Sequence, residues 1–224
     1  MTLPFSTAAF LQVFRDYNVA IWPAQILGLI LGLAALAALF QGRDTGVRIV
    51  MVVLAVLWTF VGIGYHLMFF ARINPVAPAF AALCLAQAVL FQASAIWPKD
   101  LQLVVRPNLR STTGLSVILY GVLVYPILGQ FEGHGGMAGP MFGVAPCPTT
   151  IFTIGLLIVA RGAWVVWLSI LPILWSLIGM AAAFQMDIPE DLGLPLASAA
   201  LVWTLIATAL QGRRAKSSPP GSVP

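Results

Sequence analysis

Long apolar runs alternate with short polar breaks along nearly the whole chain. A helix rises 1.5 Å per residue, so a hydrocarbon core of roughly 30 Å takes about 20 residues. The pattern predicts seven helical segments, at about residues 21–40, 49–70, 75–97, 114–130, 149–160, 163–184 and 192–211. Between them lie QGRDTGVR, ARINP, a polar loop at 98–113, an uncharged stretch at 133–150, a tight turn at Gly162 and the acidic turn QMDIPED. None of the runs alternates with period two, which argues against a transmembrane barrel. The fold class is all-α: a polytopic transmembrane bundle of seven spans over residues 21–211, in one domain without internal repeats.

The two ends read differently from the middle. Residues 1–20 lack the basic start of a signal peptide. Phe5, Phe10, Phe14 and Tyr17 recur among polar residues at near-helical spacing, which predicts an amphipathic helix lying at the membrane interface. Residues 212–224 are rich in proline and serine and read as a disordered cytoplasmic tail.

Charge orients the bundle. Seven spans put the termini on opposite sides. One side would carry Arg43, Arg48, Lys99, Arg106, Arg110 and Arg161, together with the three basic residues of the tail, which makes nine of the eleven. The other keeps Arg15 and Arg72, the remaining two. The side rich in Lys and Arg is the cytoplasmic one, so the N-terminus is outside and the C-terminus cytoplasmic. Trp22, Trp97 and Trp164 fall at the expected interfaces.

Composition narrows the class further. The chain is 60% hydrophobic and 8% charged, far below the roughly one quarter charged residues of a soluble domain. Its partner is the lipid bilayer, and its expected location is the bacterial inner membrane, as a multi-pass protein. The basic balance is what cytoplasmic loops carry and implies no nucleic acid. The only lysines, Lys99 and Lys216, lie in polar segments, so no helix offers a Schiff-base partner for retinal. The two cysteines make no disulfide framework, and Cys84 reads as packing in the bundle middle.

The stretch GHGGMAGPMFGVAPCPTT, at 133–150, holds five glycines, three prolines, His134 and Cys147. Counted back from Ala160, Cys147 stands about 20 Å above the inner edge, well inside the membrane. Residues 142–148 are therefore expected to enter as irregular chain before a helix starts at Thr149. Such backbone is tolerated only when buried in protein or lining a wet cavity. Thr149 and Thr150 are good N-cap types, and the helix start turns a positive dipole end outward. His66 lies about 6 Å inside the outer boundary, and Gln25 about 4–5 Å inside. Asn18 and Asn74 stand at that boundary. These residues share the outer half, which predicts an outward-facing polar pocket of His66, Cys147, Asn18, Gln25, Asn74 and Thr149. Glu190 and Asp191 are read as solvating a turn and starting the last span. Trp175 and Ser176 are read as helix packing.

The blocks YNVAIWPAQ (17–25), YHLMFFARINP (65–75), PCPTTIFTIG (146–155), PILWSLIG (172–179) and PEDLG (189–193) resemble a family of bacterial integral membrane proteins known only as a domain of unknown function. The resemblance covers nearly the whole chain. It implies a polytopic inner-membrane protein and brings no activity, substrate or cofactor with it.

Three functions follow from the residues. The first is binding or transport of a small solute or ion through the outer pocket. The second is a metal or haem site using His66, His134 and Cys147, with Met137 and Met141 as soft ligands. It has no HExxH, CxxC or paired histidine spacing behind it. The third is an intramembrane enzyme with Cys147 as nucleophile and His66 or His134 as base.

Overall fold

The computed structural model describes residues 4–217. It is 80% helical with nearly no sheet. The helices are α1 (Thr7–Ala20), α2 (Ala24–Leu39), α3 (Asp44–Phe60), α4 (Ala77–Ile96), α5 (Leu109–Leu119), α6 (Tyr125–Phe131), α7 (Pro146–Val159), α8 (Trp164–Met186) and α9 (Gly193–Ser217). α3 runs on into a wider π-type segment, Val61–Leu67, and α5 into a second one, Tyr120–Val124, which leads into α6. The last residues of α9 thus make helix of 212–217, where a tail was expected. Residues 218–224 of that tail lie outside the described residues.

Five stretches are long and apolar enough to cross a membrane: Asp44–Arg72, Ala77–Ile96, Leu109–Phe131, Trp164–Met186 and Pro189–Arg213. α1 and α2 meet at 86° and make a sixth if the bent pair counts as one span. α2 has 16 residues and α7 has 14, short of the about 20 that a full crossing takes. These are the first and fifth of the segments read from the sequence.

α7 is the centre of the bundle. All of its residues, Pro146–Val159, are buried, packed by α3, α5, α8 and α9. The other helices keep large apolar side chains on outward faces, such as Leu27 and Ile30 on α2, Trp167 on α8 and Trp203 on α9. That division suits a bundle whose outer surface meets lipid. α7 and α5 approach closely where two glycines meet. A Cβ on Gly155 would lie 2.7 Å from the Gly114 carbonyl oxygen, so only small residues permit the contact.

One end of the bundle is tied by arginines. Arg110 donates from Nε to the Ile158 carbonyl at 2.6 Å, from Nη2 to the Ala160 carbonyl, and from Nη1 to Thr208 at 3.2 Å. The last carbonyls of a helix have no partner within it, and the guanidinium supplies one. Arg48 does the same for α4, donating to the Ala95 carbonyl at 2.7 Å. Two short strands, β1 (Gln102–Leu103) and β2 (Ala160–Arg161), pair antiparallel at this end, and the Trp164 indole donates to the Trp97 carbonyl at 3.1 Å.

Candidate functional site

At the opposite end, the two shifts in helix type carry the side chains that matter. The π segment after α3 holds Tyr65 and His66, and π-type turns recur at functional sites because they re-aim side chains. α7 begins at Pro146 rather than at Thr149. A proline in the first helical turn lacks only an N–H that would have had no partner there, so Pro146 and Pro148 are accommodated within the helix. Cys147 is therefore held in the first turn of α7. The irregular chain ahead of it ends at Ala145.

A cavity of about 290 Å³ lies where α1, the π segment, the start of α4, the start of α7, the end of α8 and the 3-10 turn Pro189–Leu192 meet. Seven of its lining residues are phenylalanine, tyrosine or tryptophan. Phe14 stacks on Tyr65 with centroids 4.7 Å apart, and Tyr65 in turn stacks on Phe70 at 5.4 Å. His66 joins this run at Tyr65, 5.1 Å away, and Trp175 packs edge-on against His66 at 5.1 Å and against Phe80 at 5.3 Å. α1 closes the cavity with Phe10 and Phe14. The interfacial helix read from the sequence thus supplies a wall of this cavity, capped at its start by Ser6, whose hydroxyl accepts from the Ala9 N–H at 3.2 Å.

Several polar groups in the wall are buried without a protein partner. His66 is 0% exposed, and neither ring nitrogen is hydrogen-bonded. The Tyr65 hydroxyl and the Trp175 indole N–H are likewise unpartnered. Asp191 is 2% exposed and accepts at Oδ1 from the Tyr125 hydroxyl at 2.6 Å. The Cys147 thiol stands beside Asp191 and Trp175.

The acidic turn is not solvated. Glu190 is 0% exposed, and its Oε1 stands 3.2 Å from His134 Nδ1 in a second cavity of about 210 Å³. The reading of Glu190 and Asp191 as a solvated turn is corrected accordingly. Tyr120 donates to the Glu190 carbonyl at 2.8 Å and Tyr125 to the Asp191 carboxylate, so α6 and the π segment before it fold over the turn. The two consecutive carboxyl groups line different cavities.

Of the residues expected in the pocket, His66, Cys147 and Asn74 line the larger cavity together. Asn18, Gln25 and Thr149 are elsewhere, holding the 133–150 stretch in place. Asn18 donates to the carbonyls of Met137 at 3.1 Å and Gly139 at 2.9 Å, and Gln25 donates to the Asn18 carbonyl at 2.7 Å. Thr149 Oγ1 accepts from the Gly143 N–H at 3.1 Å, and the Tyr17 hydroxyl donates to the Val144 carbonyl at 2.8 Å. These bonds satisfy irregular, buried backbone from within the protein. His134 lines the smaller cavity, apart from His66 and Cys147. Among the described residues no group of three or more His, Cys, Asp or Glu side chains is placed to hold a metal ion.

Sequence reasoning missed Tyr65, Trp175 and Asp191. The signal for Asp191 was an acid at the very head of an apolar run, where burial competes with solvation. For Tyr65 it was only its place next to His66.

No curated protein and no solved structure matches the chain. The model of the Family of unknown function (DUF6064) matches residues 7–216, and the chain belongs to that family.

Proposed function

We propose that this membrane protein binds a small solute in the 290 Å³ cavity. The observation that carries the reading is His66. A neutral imidazole has one donor and one acceptor. Leaving such groups buried and unpaired costs about 1–3 kcal/mol each, and a bound solute would recover it. An ionisable side chain within a span is a functional candidate by default. The cavity also matches the general form of a small-molecule site, a mostly apolar wall with a few convergent polar groups.

The bundle in this reading has seven spans, with the N-terminus outside the bacterial inner membrane and the C-terminus in the cytoplasm. α2 and α7 serve as the two short spans, the second completed by the buried chain before Pro146. The nine-to-two bias of Lys and Arg supports the orientation. So does the separation of the arginine-tied end of the bundle from the cavity, which then opens into the outer half. A transport cycle would use the same cavity.

Replacing Ala182, in the cavity wall, with tryptophan takes up cavity space and leaves His66 unsubstituted. A screen of small solutes by thermal shift should find ligands that stabilise the wild type and leave Ala182→Trp unmoved. A ligand at about 100 times its Kd adds about 2.7 kcal/mol. A screen in which every stabilising compound acts equally on both proteins would sink the proposal.

A further inference from the structure

Resting on the reading of the cavity as a binding site, we infer that its ligand is a small organic cation: an amine or ammonium on an apolar body that also carries an acceptor oxygen. Three features of the wall carry this. First, its charged residue is an acid. Asp191 lines the cavity, and among the described residues no Lys or Arg does. The start of α7 contributes about half a positive charge beside Asp191, through Cys147. That leaves a buried carboxylate under-compensated, and the neighbouring carboxyl group, Glu190, adds to the deficit. A buried carboxyl group either takes up a proton or is paired, and here the cavity is the place from which a pairing cation can come.

Second, the aromatic rings present the electron-rich surfaces that attract cations. Phe14, Tyr65 and Phe70 form one stacked run of rings, and His66 connects it to Phe80 and Trp175. Aromatic cages around a carboxylate are a recurrent way to hold ammonium groups. An anion would meet those same ring faces with repulsion.

Third, the unpartnered groups specify more than charge. The Trp175 indole can only donate, and with only the weakly accepting Cys147 sulfur beside it, a ligand oxygen is the better partner. The Tyr65 hydroxyl also offers a donor, and the neutral His66 ring offers one donor and one acceptor. A ligand with an N–H donor and an oxygen acceptor answers all of them. A purely apolar lipid tail would leave every one of them unpaired.

Three probes of one shape separate the classes: 4-methoxyphenethylamine, its neutral isostere 4-propylanisole, and the anionic 3-(4-methoxyphenyl)propanoate. Binding to the purified full chain in detergent is measured by calorimetry, and Ala182→Trp in the same micelles sets the background. The amine should bind the wild type above that background, and the carboxylate should not. Asp191→Asn should weaken the amine by at least about tenfold. The comparison of amine with neutral isostere needs no variant, so it stands even if Asp191→Asn fails to fold. Equal binding of the neutral or the anionic probe overturns the cationic class and leaves the site intact. So does an unchanged amine affinity in folded Asp191→Asn. If none of the three probes binds above background, the class is overturned as well. The solute screen against Ala182→Trp then decides separately whether the cavity binds anything.

Discussion

The side-chain amide of Gln87, on α4, donates to the carbonyl oxygen of Leu168, on α8, at 3.0 Å within the bundle. Leu168 is four residues before Pro172, which sits inside α8 and has no N–H to offer it. Gln87 thus supplies from a neighbouring helix the donor that the proline removes. Polar groups freed by proline in a membrane helix have to be satisfied in this way.

Gln87→Leu should therefore destabilise the protein by about 1 kcal/mol, the net value of such a hydrogen bond. In a Pro172→Ala background, where α8 regains its own N–H at that position, the same substitution should cost much less. Unfolding of the four proteins in detergent gives the double-mutant cycle. Equal costs in both backgrounds would refute the coupling.

Arg110 holds the end of α7 through the carbonyls of Ile158 and Ala160 and reaches Thr208 on α9. Hydrogen bonds from charged groups contribute about 1.5–3 kcal/mol each. Arg110→Met should lower thermal stability accordingly. Arg110→Lys should restore little of it, because an ammonium lacks the planar fork that serves several acceptors at once. Full rescue by lysine would mean that charge alone matters at this site.

Gly143 has φ of +82°, and a Cβ there would stand 2.8 Å from the Cα of Gly28 on α2. Gly133, with φ of +81°, has open space around it. Gly133→Ala should cost about 1 kcal/mol for the backbone alone. Gly143→Ala should cost clearly more, since α2 has to move away. Similar melting temperatures for the two variants would contradict the close approach.

Orientation is open to labelling. Cys84 and Cys147 are both buried, so the wild-type chain should itself be unreactive to impermeant maleimides and can serve as the background. Single cysteines at the exposed positions Glu132 and Arg43 should then react oppositely in intact cells, Glu132→Cys from outside and Arg43→Cys only after lysis. The reverse pattern would invert the proposed topology.

The apolar runs made the five long helices legible, because a 20-residue apolar stretch has few other structures open to it. The burial of residues 142–150 was legible too, from prolines and glycines running into an apolar segment. What their polar neighbours do was not. Asn18, Gln25 and Thr149 were placed by counting depth along the sequence, and such a count is the same for a residue that faces a cavity and one that straps a loop. Asp191 was hidden for a related reason. PEDLG reads as a solvated turn until Tyr120 and Tyr125, about 70 residues away, close over it. The pairing of Gln102 and Leu103 with Arg161 and Ala160 involves two residues a side, too few to leave a periodic trace.

The burial of α7 on every side has a consequence for how this chain tolerates change. On α8 or α9, a scan of all substitutions should show tolerance rising and falling with the helical turn, since one flank meets lipid and accepts any apolar residue. Along Pro146–Val159 that rhythm should vanish. Each position there touches protein, so bulk or charge should be rejected at one residue after the next, in an unbroken block of 14.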